Sequence, residues 1–140
     1  MSDIVLVQCT DSKRRDRETC PAKDLYKGQY WEAMKAYAES RPEPWGILSA
    51  KHGLLGPEQP IAPYDEKGLS VDQSRDIARH LKDMGFKTVR ITAGKDYTDP
   101  LTPELERVGI DVIEVCRGMK IGKRTAKLNE LAATTENDTL

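Results

Sequence analysis

Short, unbroken apolar runs alternate with amphipathic stretches along this chain. Ile4-Val5-Leu6-Val7 is continuous and mostly β-branched, and it predicts a central strand buried on both faces. Residues 10–23 are polar and read as loop. Tyr30, Trp31, Met34, Tyr37 and Ala38 then recur at helical spacing and predict a core-facing stripe. Arg41-Pro42-Glu43-Pro44 ends that helix, because proline cannot extend the hydrogen-bond ladder. Trp45 to Ala50 predicts a second strand, and residues 51–69 a long loop rich in glycine and proline. Loops of that length inside a compact domain are usually functional or mobile. Ser70 with Gln73 is a capping-box signature opening a helix whose inner face is Ile77, Ala78, Leu81 and Met84, with Gly85 as its stop. Lys87 to Ala93 alternates as a third strand. Thr102 before Pro103 predicts the start of a short helix, Val112 to Val115 a fourth strand, and Leu128 and Leu131 a last helix over residues 124–133.

This order predicts one α/β domain over residues 1–133, a three-layer fold with a mostly parallel four-stranded sheet and helices on both faces. Residues 134–140 read as a flexible polar C-terminal tail. In such sheets ligands bind in the crevice outside the carboxyl ends of the strands, so any chemistry should collect there.

Composition narrows the function classes. With 140 residues, 38% hydrophobic and 32% charged, the chain supports one core and is not compositionally disordered. The formal net charge of −1 means that a basic site must be a local patch. No apolar run approaches the roughly 20 residues of a membrane span, so no membrane partner is expected. Met1-Ser2-Asp3-Ile4 lacks the basic-then-apolar form of a signal peptide. Cys9, Cys20 and Cys116 are an odd number without C-x-x-C spacing, which argues against a disulfide framework or a structural zinc site. A reduced, cytoplasmic protein is expected, with no metal and no cofactor. Walker, Rossmann, H-E-x-x-H and G-x-S-x-G patterns are absent from the sequence.

Each predicted strand runs into a basic residue beside a small or nucleophilic one. The first reaches Cys9, Thr10, Asp11, Ser12 and Lys13; the second Ser49, Lys51 and His52; the third Lys95, Asp96 and Tyr97; the fourth Cys116, Arg117 and Lys120. Lys13, Lys51, Lys95 and Arg117 are expected to meet around one anion, since clustered cations repel unless a carboxylate or a bound anion compensates them. Taken singly, each lysine also fits an ordinary solvated loop residue. Cys9 reads either as a nucleophile favoured by nearby lysines or as a small buried hydrophobe, the commoner fate of free cysteine. His52 suits general acid–base work near neutral pH, or a loop-orienting hydrogen bond. Asp96 is either a general base or the counter-ion of Lys95. Thr10, Ser12 and Ser49 are candidate ligand-positioning hydroxyls, although Ser49 is equally explained by satisfaction inside the sheet end. Tyr26, Tyr64 and Tyr97 are candidates to stack on a base. Between Arg117 and Lys127 there are five basic residues and no acidic one, a stretch able to follow a phosphate backbone or to be a solvated helix face. Catalytic candidates are therefore His52, Lys51, Asp96 and Cys9. Binding candidates are Thr10, Ser12, Lys13, Ser49, Lys95, Tyr97, Arg117, Lys120 and Tyr64.

Several of these segments together resemble a known family. Cys9-Thr10-Asp11-Ser12-Lys13, Asp24-Leu25-Tyr26, Leu48 through Leu55, and Pro63-Tyr64-Asp65 resemble an uncharacterised domain family of archaea, bacteria and phages, itself distantly similar to the YaaA peroxide-stress proteins. Lys120-Ile121-Gly122 with Leu128-Asn129-Glu130 resembles its C-terminal signature. YaaA proteins are associated with DNA binding and with limiting oxidative DNA damage. A further distant similarity runs to the core domain of archaeosine synthase, which modifies a deazaguanine base in tRNA. The resemblance implies a nucleic-acid, nucleotide or nucleobase partner. It leaves open a group-transfer enzyme of nucleic-acid modification, a non-catalytic DNA- or RNA-binding module in stress protection, and a small nucleotide-metabolising enzyme.

Overall fold

A computed structural model describes residues 2–138, with side chains through residue 134. The apolar run of the first segment forms β1 (Asp3–Gln8), with Ile4 to Val7 all buried. The chain continues through β2 (Cys20–Pro21), α1 (Ala22–Leu25), α2 (Gln29–Ser40), β3 (Trp45–Ser49), β4 (Gly53–Leu55), β5 (Pro60–Ile61) and α3 (Val71–Asp83). It ends with β6 (Thr88–Thr92), α4 (Lys95–Arg107), β7 (Asp111–Glu114) and α5 (Ile121–Asp138).

The main sheet has five strands in the order β4-β3-β1-β6-β7. Strand β1 lies at its centre, parallel to β3 through Val5 opposite Trp45 and to β6 through Val5 opposite Arg90. Helix α2 packs on α5, and α3 on α4, so helices cover both faces in three layers. The expected four parallel strands are all present, and the mostly parallel α/β class holds. A fifth strand, β4, folds back antiparallel on β3 out of what reads as loop, pairing Leu48 with Leu54. Three residues are too few to show alternation, which is why the sequence pattern missed it. The rest of that loop gives β5, which pairs with β2 as Cys20 opposite Ile61. Cys20 is thus a buried strand residue and not a loop residue.

Three helix expectations need correction. The Ser70–Gln73 capping box opens α3 as expected, but Met84 lies at the helix end and is exposed instead of facing the core. Helix α4 starts at Lys95, not at Thr102, and carries Pro100 and Pro103 inside it. Proline at position 100 has no N–H to give the carbonyl four residues back. That carbonyl belongs to Asp96, and it accepts the Leu69 N–H at 3.1 Å instead. The missing helix bond therefore ties the end of the long loop to the start of α4. Helix α5 begins at Ile121 and runs through residues 134–138, the first part of the expected tail; Thr139 and Leu140 lie outside the described residues. No helix among the described residues is long and apolar enough to cross a membrane.

Candidate functional site

The strand order itself creates a crevice. After β1 the chain leads through α2 to β3 on one side, and after β6 through α4 to β7 on the other. Strands β1 and β6 are neighbours whose exits diverge, which is the topological switch point where open α/β sheets bind ligands. A cleft of about 690 Å³ opens there. Gln8, Cys9, Thr10 and Asp11 line it from the end of β1, and Gly94, Lys95, Asp96 and Tyr97 from the start of α4. Met119, Lys120, Ile121 and Arg124 approach from the start of α5, and Tyr30 from α2.

Its walls are held by specific contacts. Gln8 accepts the Gly94 N–H on its side-chain oxygen at 2.6 Å and donates to the Cys9 carbonyl at 3.1 Å, which fixes the head of α4 against the end of β1. Lys67 pairs with Asp11 at 3.2 Å, from the long loop to the β1 exit. Gly68, next in the chain after Lys67, has φ +74° and lies against Asp96, where a Cβ would stand 3.4 Å from both the side chain and the carbonyl oxygen. The backbone angle favours glycine, and the added Cβ would only touch Asp96.

The cleft gathers positive charge. The amino ends of α4 and α5 both face the cleft, and each carries unpaired N–H groups and the positive pole of its dipole. Among the described residues Lys95, Lys120 and Arg124 form no ion pair. Arg124 Nη1 lies within 3.5 Å of where a Gly94 Cβ would stand, against the head of α4, and donates to the Tyr30 hydroxyl at 3.4 Å. Its buried Nε has no partner. A guanidinium held at the positive pole of a helix raises the energy of the empty site, and a bound anion reverses that sign. Asp96 is the one cleft carboxylate left after Asp11 pairs with Lys67.

Beneath the cleft lies a buried polar cluster. Cys9 is 2% exposed, and its Sγ is 3.0 Å from the Tyr97 hydroxyl. The Ser49 hydroxyl donates to the Tyr64 hydroxyl at 2.8 Å and accepts the His52 N–H at 3.0 Å. The Tyr26 and Tyr64 hydroxyls share a hydrogen at 2.6 Å. Lys13, only 8% exposed, places Nζ 4.5 Å from the centre of the Tyr64 ring. Burial lowers the Lys13 pKa, offset in part by the nearby Cys9 and Asp11. Burial likewise drives the phenols of Tyr26, Tyr64 and Tyr97 upward, so all three are neutral at physiological pH.

The expected site residues are therefore not gathered into one pocket. The cleft brings together Cys9, Thr10, Lys95, Asp96, Tyr97 and Lys120. Lys13, Ser49 and Tyr64 form the buried layer, where Tyr26 and Tyr64 have no free face on which a base could stack. Ser12 is exposed, with its carbonyl bound by the Lys27 N–H. Arg117 lines an adjoining hollow of about 710 Å³ and pairs with Glu114 at 3.4 Å. Lys51 and His52 line a separate hollow of about 270 Å³ with Gln73, Asp76 and His80. The antiparallel return of β4 carries the end of β3 away from the switch point, so these two side chains do not share the cleft. Gln8, Tyr30, Lys67, Met119, Ile121 and Arg124 were missed as site residues. Arg124 was within sight, inside the basic stretch, but Tyr30 was hidden by the helical stripe that marked it as core.

The His52 ring stands edge-on to Tyr64, with ring centres 5.5 Å apart. Desolvation, and then the Lys51 charge, lowers its pKa below the ordinary 6.5. The unfolded chain thus takes up this proton first. Stability owed to neutral His52 is complete above pH 6.5 and declines as the pH falls below that value. Melting temperatures measured from pH 7.5 to 5 should fall less for His52→Gln than for the parent protein. An equal fall would mean that His52 contributes nothing to the acid-side loss. Among the described residues, no group of three or more His, Cys, Asp or Glu is arranged to hold a metal ion.

Fold and site together define a doubly wound, three-layer α/β protein with a basic cleft at its switch point. The chain belongs to a family of unknown function, DUF6884, which it matches over residues 4–130. No curated protein and no solved structure matches it.

Proposed function

We propose that this protein binds a phosphate-bearing ligand in the switch-point cleft, with the phosphate between the amino ends of α4 and α5 and in reach of Lys95, Lys120 and Arg124. What carries the proposal is the Arg124 guanidinium set against the head of α4, with no carboxylate pairing it among the described residues. Helix amino ends supply oriented N–H donors for such anions. A cleft of about 690 Å³ is the size of a small-ligand site.

The ligand class is nucleic-acid or nucleotide related. Support comes from the resemblance of the Ser49 to Leu55 block and Pro63-Tyr64-Asp65 to the family distantly similar to the YaaA proteins. The reaction-level form is group transfer. Cys9 borders the cleft beside the Tyr97 hydroxyl and is the candidate nucleophile, and Asp96 is the candidate proton acceptor. The competing form is a binding module that uses the same cations and no chemistry.

Thermal melting with pyrophosphate, mononucleotides and short oligonucleotides tests the proposal. A phosphate ligand at a hundred times its Kd adds about 2.7 kcal/mol, a rise of roughly 5–10 °C for a chain of this size. No rise with any of the three rejects it. Cys9→Ser and Asp96→Asn then separate the two forms: a binder keeps its ligand stabilisation and has no turnover to lose, whereas an enzyme keeps binding and loses turnover.

A further inference from the structure

We infer that the cleft also reads a flat aromatic ring attached to the phosphate, so that its ligand is a nucleoside phosphate in which the ring rests on a shelf made by Tyr30, Met119 and Ile121. This rests on the phosphate reading above and adds what the phosphate leaves undetermined.

The shelf places apolar side chains inside a cleft whose other walls are polar and charged. Ile121 is 62% exposed, the most exposed of the large apolar residues described, although it opens a helix at the mouth of a basic cleft. Met119 and Tyr30 are partly buried and line the same cleft. An isoleucine left in water beside three cations that form no ion pair among the described residues serves neither the core nor the anion. An amphiphilic ligand resolves both, with its charged end at the helix heads and its apolar face covering Ile121 and Met119.

The polar groups on this wall favour a heteroaromatic ring over an aliphatic chain. The Tyr30 hydroxyl and the Arg124 guanidinium stand 3.4 Å apart beside the shelf. Both can donate to acceptor atoms on a ring edge, and a guanidinium plane also stacks on a base. A hydrocarbon tail would offer no acceptor to the Tyr30 O–H, which the Arg124 contact uses only as an acceptor. The ring is thereby assigned to Tyr30, Met119 and Ile121, and not to the tyrosines Tyr26 and Tyr64, which are sealed beneath the cleft.

Titration calorimetry at one fixed salt concentration should compare ribose 5-phosphate with AMP, GMP, CMP and UMP, and with a 5′-phosphorylated oligonucleotide. At least one nucleotide should bind about tenfold or more tightly than ribose 5-phosphate, equivalent to 1.4 kcal/mol. In Met119→Ser/Ile121→Ser that advantage should vanish. Neither residue is fully buried, so the variant folds, which its melting curve verifies. Preference for the oligonucleotide over the mononucleotides would name a strand end as the source of the same chemistry. Equal affinity for ribose 5-phosphate and every nucleotide overturns the ring shelf while leaving the phosphate site intact. Absence of binding by all of them, and by pyrophosphate, overturns both.

Discussion

Lys95→Ala/Lys120→Ala should lose phosphate-ligand affinity by about 100-fold or more while melting no lower than the parent protein. Each charged contact contributes on the order of 1.5–3 kcal/mol to a bound anion, and two such contacts make the loss large. The stability side has the opposite sign. Lys95 is the first residue of α4 and Lys120 directly precedes α5, so both place positive charge at the positive end of a helix. Removing such a charge relieves about 0.3–1 kcal/mol at low ionic strength. Both side chains are exposed, and no packing is lost. Titration with pyrophosphate and a melting curve on the same samples check the two signs together. Unchanged affinity would mean that the two lysines are ordinary surface charges. A large drop in melting temperature would mean that they hold the fold.

The second large effect lies in the core. Trp31→Ala should cost about 3–5 kcal/mol, measured by urea unfolding. Trp31 is fully buried, with its ring centre 4.9 Å from that of Tyr26 and 6.5 Å from that of Trp45. It joins α2 to the buried tyrosine layer and to the start of β3. For a domain with a total stability of 5–15 kcal/mol, the loss leaves a substantial unfolded population at 37 °C. Trp31→Phe should cost far less, because the buried indole N–H has no partner and its removal cancels part of the lost packing. A loss below 1 kcal/mol for Trp31→Ala would show that α2 is not seated through this residue. The neighbouring Tyr30 would then owe its place at the cleft to something else.

The parts of the fold legible in the sequence were those with strong period. Continuous runs such as Ile4 to Val7 and the alternation Val89, Ile91, Ala93 mark strands by burial alone. The capping box at Ser70 marks a helix start by local hydrogen bonding, and that signal does not depend on the rest of the chain. Where tertiary contacts decide, the pattern misled. Pro103 after Thr102 looks like a helix start, yet the helix runs through both prolines because Leu69 satisfies the carbonyl that Pro100 releases. Strand β4 and the pair β2–β5 are too short to carry a period, and they exist through their partners.

The cleft was legible in the same graded way. The rule that ligands gather at strand ends names Cys9, Thr10, Lys95, Asp96, Tyr97 and Lys120, and these six line one cleft. It treated all strand ends alike, however, and only the pair with diverging exits forms the crevice. The β3 end, with Lys51 and His52, is turned into another hollow by the β4 hairpin. Tyr64 and Lys13 were visible as chemistry, but not as a sealed layer, because burial of a polar side chain depends on packing that a single sequence does not encode.

Whether the diverging exits of β1 and β6 form the ligand site is tested most directly by backbone amide NMR shifts during titration with pyrophosphate. The largest changes should fall at residues 94–97 and 120–124, with smaller ones at 9–11. Changes centred on residues 51–54 and 73–80, or no saturable change anywhere, would contradict the account.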